Sequence, residues 1–102
     1  MTAYASKAGA LWRPGLTYID VMKWDRTIAV GDEVVVRWTN CGSYHSALAT
    51  VALVHNKSVR VTLDEGDGDY PARATITAPR PLNTRKWSWN NCVLPRAERS
   101  NA

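Results

Sequence analysis

The segment Ser58–Leu63 most narrowly limits what this chain can become. Val59, Val61 and Leu63 fall on one side of it, and Ser58, Arg60 and Thr62 fall on the other. A strict period of two builds a half-buried strand, because a helix turning every 3.6 residues would scatter those three apolar side chains. The same pattern recurs along the chain. Glu33 to Trp38 is a valine-rich strand with Val34, Val36 and Trp38 on one face, and β-branched and aromatic residues suit that surface. Leu48 to Val54 reads as a second apolar strand. Residues 72 to 77 alternate again, with Ala72, Ala74 and Ile76 inward and Arg73, Thr75 and Thr77 outward. Lys86 to Leu94 is the last strand, carries Trp87-Ser88-Trp89, and is stopped by Pro95.

Turn chemistry separates these runs. Gly31-Asp32 is a turn, and Thr39 to Ser46 reads as a loop through Asn40, Gly42 and Ser43. His55-Asn56-Lys57 is a short turn, residues 64 to 69 an acidic glycine loop, and Pro79 and Pro81 end the fourth strand. A chain of 102 residues holds one domain. Five short strands without a convincing amphipathic helix predict an all-β fold. A small barrel is the economical form, because closure removes exposed sheet edges. Residues 28–95 are assigned to the barrel, 1–27 to an N-terminal arm packed on it, and 96–102 to a polar tail. Within the arm, Thr17 to Trp24 fits two patterns. Alternation sets Ile19, Val21 and Lys23 against Tyr18, Asp20, Met22 and Trp24, whereas a short helix would bring Ile19 and Met22 together. A strand or irregular arm is the favoured expectation.

Composition excludes several classes. A hydrophobic fraction of 45% with 22% charged residues is that of an ordinary globular protein, not a disordered or collagen-like one. The apolar runs are too short for a transmembrane helix, so no membrane partner is expected. The N-terminus lacks the pattern of a secretory leader, which predicts an intracellular, cytoplasmic protein. The net charge is +4. From Arg73 onward, Arg73, Arg80, Arg85, Lys86, Arg96 and Arg99 are set against Glu98 alone. The aromatic inventory is five Trp, four Tyr and no Phe. That exceeds what a small core needs, and Trp and Tyr are the rings used where one side meets a partner.

The stretch Val30-Gly31-Asp32-Glu33-Val34-Val35-Val36-Arg37-Trp38 resembles the opening of an SH3-like small barrel of the Tudor, KOW or agenet type. Residues 49–54 and 58–64 resemble the second and third strands of such barrels. The resemblance spans about residues 28–95, and the 27-residue arm and the long Thr39 to Ser46 loop depart from it. It implies a five-stranded barrel and a binding module rather than an enzyme, with nucleic acid, a peptide or another protein as partner. Tudor-type members hold methylated Lys or Arg in an aromatic cage. Trp38, Tyr44, Tyr70 and Trp87 are the candidate rings here, with the acids of 64–69 beside them.

Other chemistries have little to rest on. Cys41, His45, His55 and Cys92 are four potential zinc ligands, but only Cys41 and His45 are closely spaced, so no metal is expected. The two cysteines read as reduced thiols, with one disulfide between them left open. The acidic loop lacks the spacing and terminal Glu of a calcium loop. No nucleophile elbow, phosphate loop or dinucleotide fingerprint is present, so no enzyme activity and no cofactor are expected.

Two functions remain. The first is nucleic-acid binding through a basic and aromatic face made of Arg60, Arg73, Arg80, Arg85 and Lys86 with Trp87 and Trp89 as stacking rings. The second is a protein-interaction adaptor, or a homo-oligomeric accessory protein, that uses exposed rings among Trp38, Tyr44 and Tyr70.

Overall fold

In a computed structural model, residues 11–68, 70–81 and 86–97 are described. The alternating segments form five antiparallel strands: β1 Glu33–Asn40, β2 Ser43–Val54, β3 Ser58–Leu63, β4 Thr75–Pro79 and β5 Cys92–Pro95. They make one sheet in the order β4-β3-β2-β1-β5. The sheet curls into a half-barrel, so that β4 nears β1 and β5 without joining either ladder. The expected all-β fold of five short strands is therefore present, as a curled half-barrel that keeps two sheet edges. No helix among the described residues is long and apolar enough to cross a membrane.

β3 follows its sequence pattern throughout. Val59, Val61 and Leu63 are buried, and Arg60 points out. They meet Val34, Val36 and Trp38 of β1, Ala49 and Val51 of β2, and Ile76 and Ala78 of β4 in one inner core. Each fully buried Val or Leu contributes about 1.5–3 kcal/mol relative to exposure.

The expected loop from Thr39 to Ser46 is instead a tight hairpin. β1 runs on to Asn40 and β2 starts at Ser43, with Asn40 opposite Ser43. Cys41 and Gly42 make the turn with φ of 51° and 83°. Two successive positive φ values match the right-handed twist of the flanking strands. The small polar residues around the turn thus punctuate one corner rather than an eight-residue loop.

β4 starts later than expected. Arg73 has φ of 76° and lies in a turn, and Ala72 is exposed. The last strand is shorter too. Ser88 and Asn91 close a turn ahead of Cys92, so Trp87 and Trp89 precede β5.

The outer face of β1 and β5 carries a second, smaller core. Val35 is fully buried there, and Cys92 and Leu94 pack with Val21, Trp12, Leu16 and Trp87. Val21 comes from helix α1, Tyr18–Asp25, which corrects the expected strand or irregular segment. The cause is a capping box. The Thr17 hydroxyl accepts from the Asp20 backbone N–H at 3.2 Å, and the Thr17 N–H donates to the Asp20 carboxylate at 3.0 Å. The Thr17 backbone N–H foremost, and then the Thr17 hydroxyl, hold the Asp20 carboxyl below its ordinary value.

The C-terminal segment begins inside the fold. Trp12 bridges Arg96, the Arg13 N–H donates to the Pro95 carbonyl, and the Ala97 N–H donates to the Leu11 carbonyl. Residues 11–13 thereby pair with the chain at the Pro95 end of β5 and just beyond it. The Arg96 guanidinium donates to the Val34 carbonyl at 3.1 Å, the Ala49 carbonyl at 2.8 Å and the Asp64 carboxylate. Arg96 is therefore a clamp on the sheet rather than the start of a solvated tail.

Candidate nucleic-acid interface

Of the arginines proposed from sequence, Arg60 and Arg73 are exposed, whereas Arg80 is committed to the fold. Arg60 lies on the outer side of β3, opposite Thr77 of β4, and Thr62 lies opposite Thr75. Arg73 is exposed in the turn before β4. Arg80 is spent on structure. Its Nε donates to both carboxylate oxygens of Asp25, at 3.3 and 3.0 Å. Its other nitrogens donate to the His55 carbonyl at 2.8 Å and the Asp25 carbonyl at 3.1 Å. A guanidinium with these four acceptors has little left for a phosphate, so Arg80 leaves the candidate set. Arg85 lies outside the described residues. Lys86 is exposed.

The tryptophans make a surface that the sequence only hinted at. Trp87 is half-buried against the outer core, and Trp89 keeps 39% of its surface exposed. Their ring centroids are 5.0 Å apart. Trp87 also meets Tyr18 edge-on at 5.1 Å, and Tyr18 is 42% exposed. Its hydroxyl donates to the Pro81 carbonyl at 3.1 Å, which fixes the ring. Three rings therefore run in a continuous strip from α1 to the lead-in of β5. Below it, Arg37 donates to the Trp89 carbonyl at 2.6 Å and stacks over Trp12 at 4.5 Å. Tyr18 was missed by sequence reasoning. Its signal was the Thr17-to-Asp20 spacing, which starts a helix and aims residue 18 beside the tryptophans.

The proposed cage does not assemble. Trp38 is only 6% exposed and belongs to the inner core. It stacks on His45 at 5.1 Å, and Tyr70 meets it edge-on at 5.0 Å. His45 Nδ1 is 2.9 Å from the Asp67 carboxylate. Tyr44 is 70% exposed and, one residue before His45 on β2, faces the other side of the sheet. Trp87 belongs to the outer core. Two of the four rings, Trp38 and Tyr70, are in contact, and they are joined by a histidine.

Both cysteines are free thiols, Cys41 exposed at the hairpin turn and Cys92 buried. Burial pushes the Cys92 thiol up to about 12, against a smaller opposing pull from Arg37. A protonated, covered thiol is a poor nucleophile. A thiol-reactive dye at pH 8 is expected to label one site per native molecule, Cys41, and a second only in denaturant. Peptide mapping that finds label on Cys92 in the native protein would contradict this. Among the described residues, no three of the His, Cys, Asp and Glu side chains gather as a metal site.

No protein-family model, curated protein or solved structure matches this chain.

Proposed function

We propose that this domain binds single-stranded nucleic acid along the strip Tyr18–Trp87–Trp89. The observation that carries the reading is the continuity of three half-covered rings on the surface. Aromatic faces offered to solvent suit unpaired bases, whose own faces are hidden inside a duplex. Lys86 next to Trp87, and a net charge of +4, supply the attraction for a phosphate backbone. The resemblance to small-barrel modules supports a binding role rather than an enzymatic one. This reading keeps Trp87, Trp89 and Lys86 from the sequence analysis, adds Tyr18, and leaves out Arg60, Arg73 and Arg80, while Arg85 lies outside the described residues.

Fluorescence anisotropy with mixed-sequence single-stranded DNA and RNA at two salt concentrations tests it. Affinity is expected to fall with salt, at a logarithmic slope of about 0.7 per phosphate neutralised. Trp89→Ala is expected to weaken binding roughly 5- to 150-fold, the equivalent of about 1–3 kcal/mol for one stacked base. Salt-independent binding, or a Trp89→Ala variant that binds as well as the parent, would remove the strip as the site. Arg60→Ala serves as the comparison, because Arg60 lies on β3 and away from the strip's own elements.

A further inference from the structure

We propose that the outer edge of β4 is a docking site for an extended acidic peptide, which joins the sheet antiparallel as a further strand. This goes beyond the aromatic strip and uses none of its residues.

The two edges of the sheet are treated differently. The edge of β5 is paired at its Pro95 end with residues 11–13 of the same chain. β4 is the other edge, and no described residue pairs with its outer side. The direction of each backbone group follows from the register. The Leu63 N–H donates to the Ala74 carbonyl and the Arg80 N–H to the Lys57 carbonyl. Even-numbered residues from 74 to 80 therefore bond toward β3, and Thr75, Thr77 and Pro79 turn their backbone groups outward. The edge thus offers two N–H donors, at Thr75 and Thr77, and three carbonyl acceptors. Pro79 has no N–H and closes the donor row. An open edge of this kind is a template for main-chain pairing.

Charge names the occupant. Residues of an added strand that bond to Thr75 and Thr77 stand directly opposite them, with side chains on the same outer face. Arg60 projects from that face, opposite Thr77 on the inner side of β4. Arg73 is exposed at the leading end of β4, and Lys57 is exposed in the turn before β3. Acidic side chains at the outward positions complement these cations. The alternate positions align with Ile76 and Ala78, which face the inner core, and suit small apolar side chains.

The test uses a capped seven-residue peptide of alternating Glu and Val, followed by amide exchange and chemical shifts of the whole protein. Exchange at Thr75 and Thr77 is expected to slow on titration. N-methylation of the Glu amides, which face β4 in this register, is expected to abolish the effect. N-methylation of the Val amides, which face away, is expected to leave it. A Lys-Val peptide is expected to bind about tenfold more weakly, because it sets like charges together. The exposed double variant Arg60→Ala, Arg73→Ala is expected to lose that preference and keep its fold. Equal binding of the two N-methylated peptides would overturn the proposal. So would Thr75 and Thr77 amides already protected in the free protein, which would mean that its own chain closes the edge. Protection that grows with protein concentration alone would give the edge to a second copy, and protection by single-stranded DNA would give it to nucleic acid. Either result overturns the proposal.

Discussion

Arg80→Ala is expected to lower the stability of the domain by about 3–5 kcal/mol, the range for removing one partner of a buried ion pair. Asp25 ends α1 with its side chain 5% exposed, and the Arg80 guanidinium lies 3.0 Å from its carboxylate. Truncating Arg80 leaves that carboxylate in low dielectric without its counter-charge. It also leaves the carbonyls of Asp25 and His55 without the donors they now accept from. A small domain has about 5–15 kcal/mol in total, so the loss is a large share of it. Urea unfolding measures the effect as a fall in midpoint at unchanged slope. Arg60→Ala, an exposed arginine on the neighbouring strand, is expected to stay within about 0.5 kcal/mol of the parent. The double change Arg80→Met, Asp25→Leu removes both charges together and is expected to recover much of the loss. If Arg80→Ala unfolds at the same urea concentration as Arg60→Ala, the clamp does not exist, and Arg80 returns to the set of candidate phosphate ligands.

The sheet was legible because its pattern is local. β3 has the bounds expected of it, and the inward set of Val59, Val61 and Leu63 is the set that is buried. A period of two is read from neighbours, and burial of one face enforces the register once it forms. What escaped was set by single residues at the ends of elements. Gly42 allows β1 and β2 to meet across two residues, and the surrounding Asn40 and Ser43 looked like loop only because turn residues serve both purposes. The helix α1 escaped for a related reason. Its eight residues have no strong apolar face, and what starts it is the Thr17–Asp20 cap rather than periodicity.

The candidate site was legible in its residue types and much less in its grouping. An excess of Trp and Tyr pointed to surface rings, and Trp87 and Trp89 do form a strip. Their third member, Tyr18, comes from the arm, and its place depends on a helix that the pattern did not reveal. Outward alternation in the sequence sets Arg60 and Arg73 on one sheet face, and extending that face to Arg80 is the step that fails. Arg80 follows β4 closely, yet the nearest carboxylate is on α1, 55 positions back. A buried charge is satisfied by whatever the fold brings to it, and that information is non-local.

Trp38 is the other residue whose role changes, and Trp38→Ala is expected to cost about 3–5 kcal/mol, the range for emptying an aromatic site in a core. Its ring is 6% exposed, stacks on His45, and is met edge-on by Tyr70. Removing it opens a cavity at the end of the β1–β2 hairpin and withdraws the surface on which both neighbours rest. The His45–Asp67 hydrogen bond, which ties the loop after β3 to β2, then loses its support. Trp38→Phe should be milder. Its indole N–H is buried and has no hydrogen-bond partner among the described residues, so a ring without that donor gives up packing but no bond. Trp89→Ala, at a half-exposed ring, should change stability much less than Trp38→Ala while weakening nucleic-acid binding. Denaturant curves for the three variants separate a packing ring from a recognition ring. The expected order of stability is Trp89→Ala above Trp38→Phe above Trp38→Ala. Should Trp38→Ala instead remain as stable as the parent, Trp38 would be an open surface ring, and its place in the inner core would be wrong.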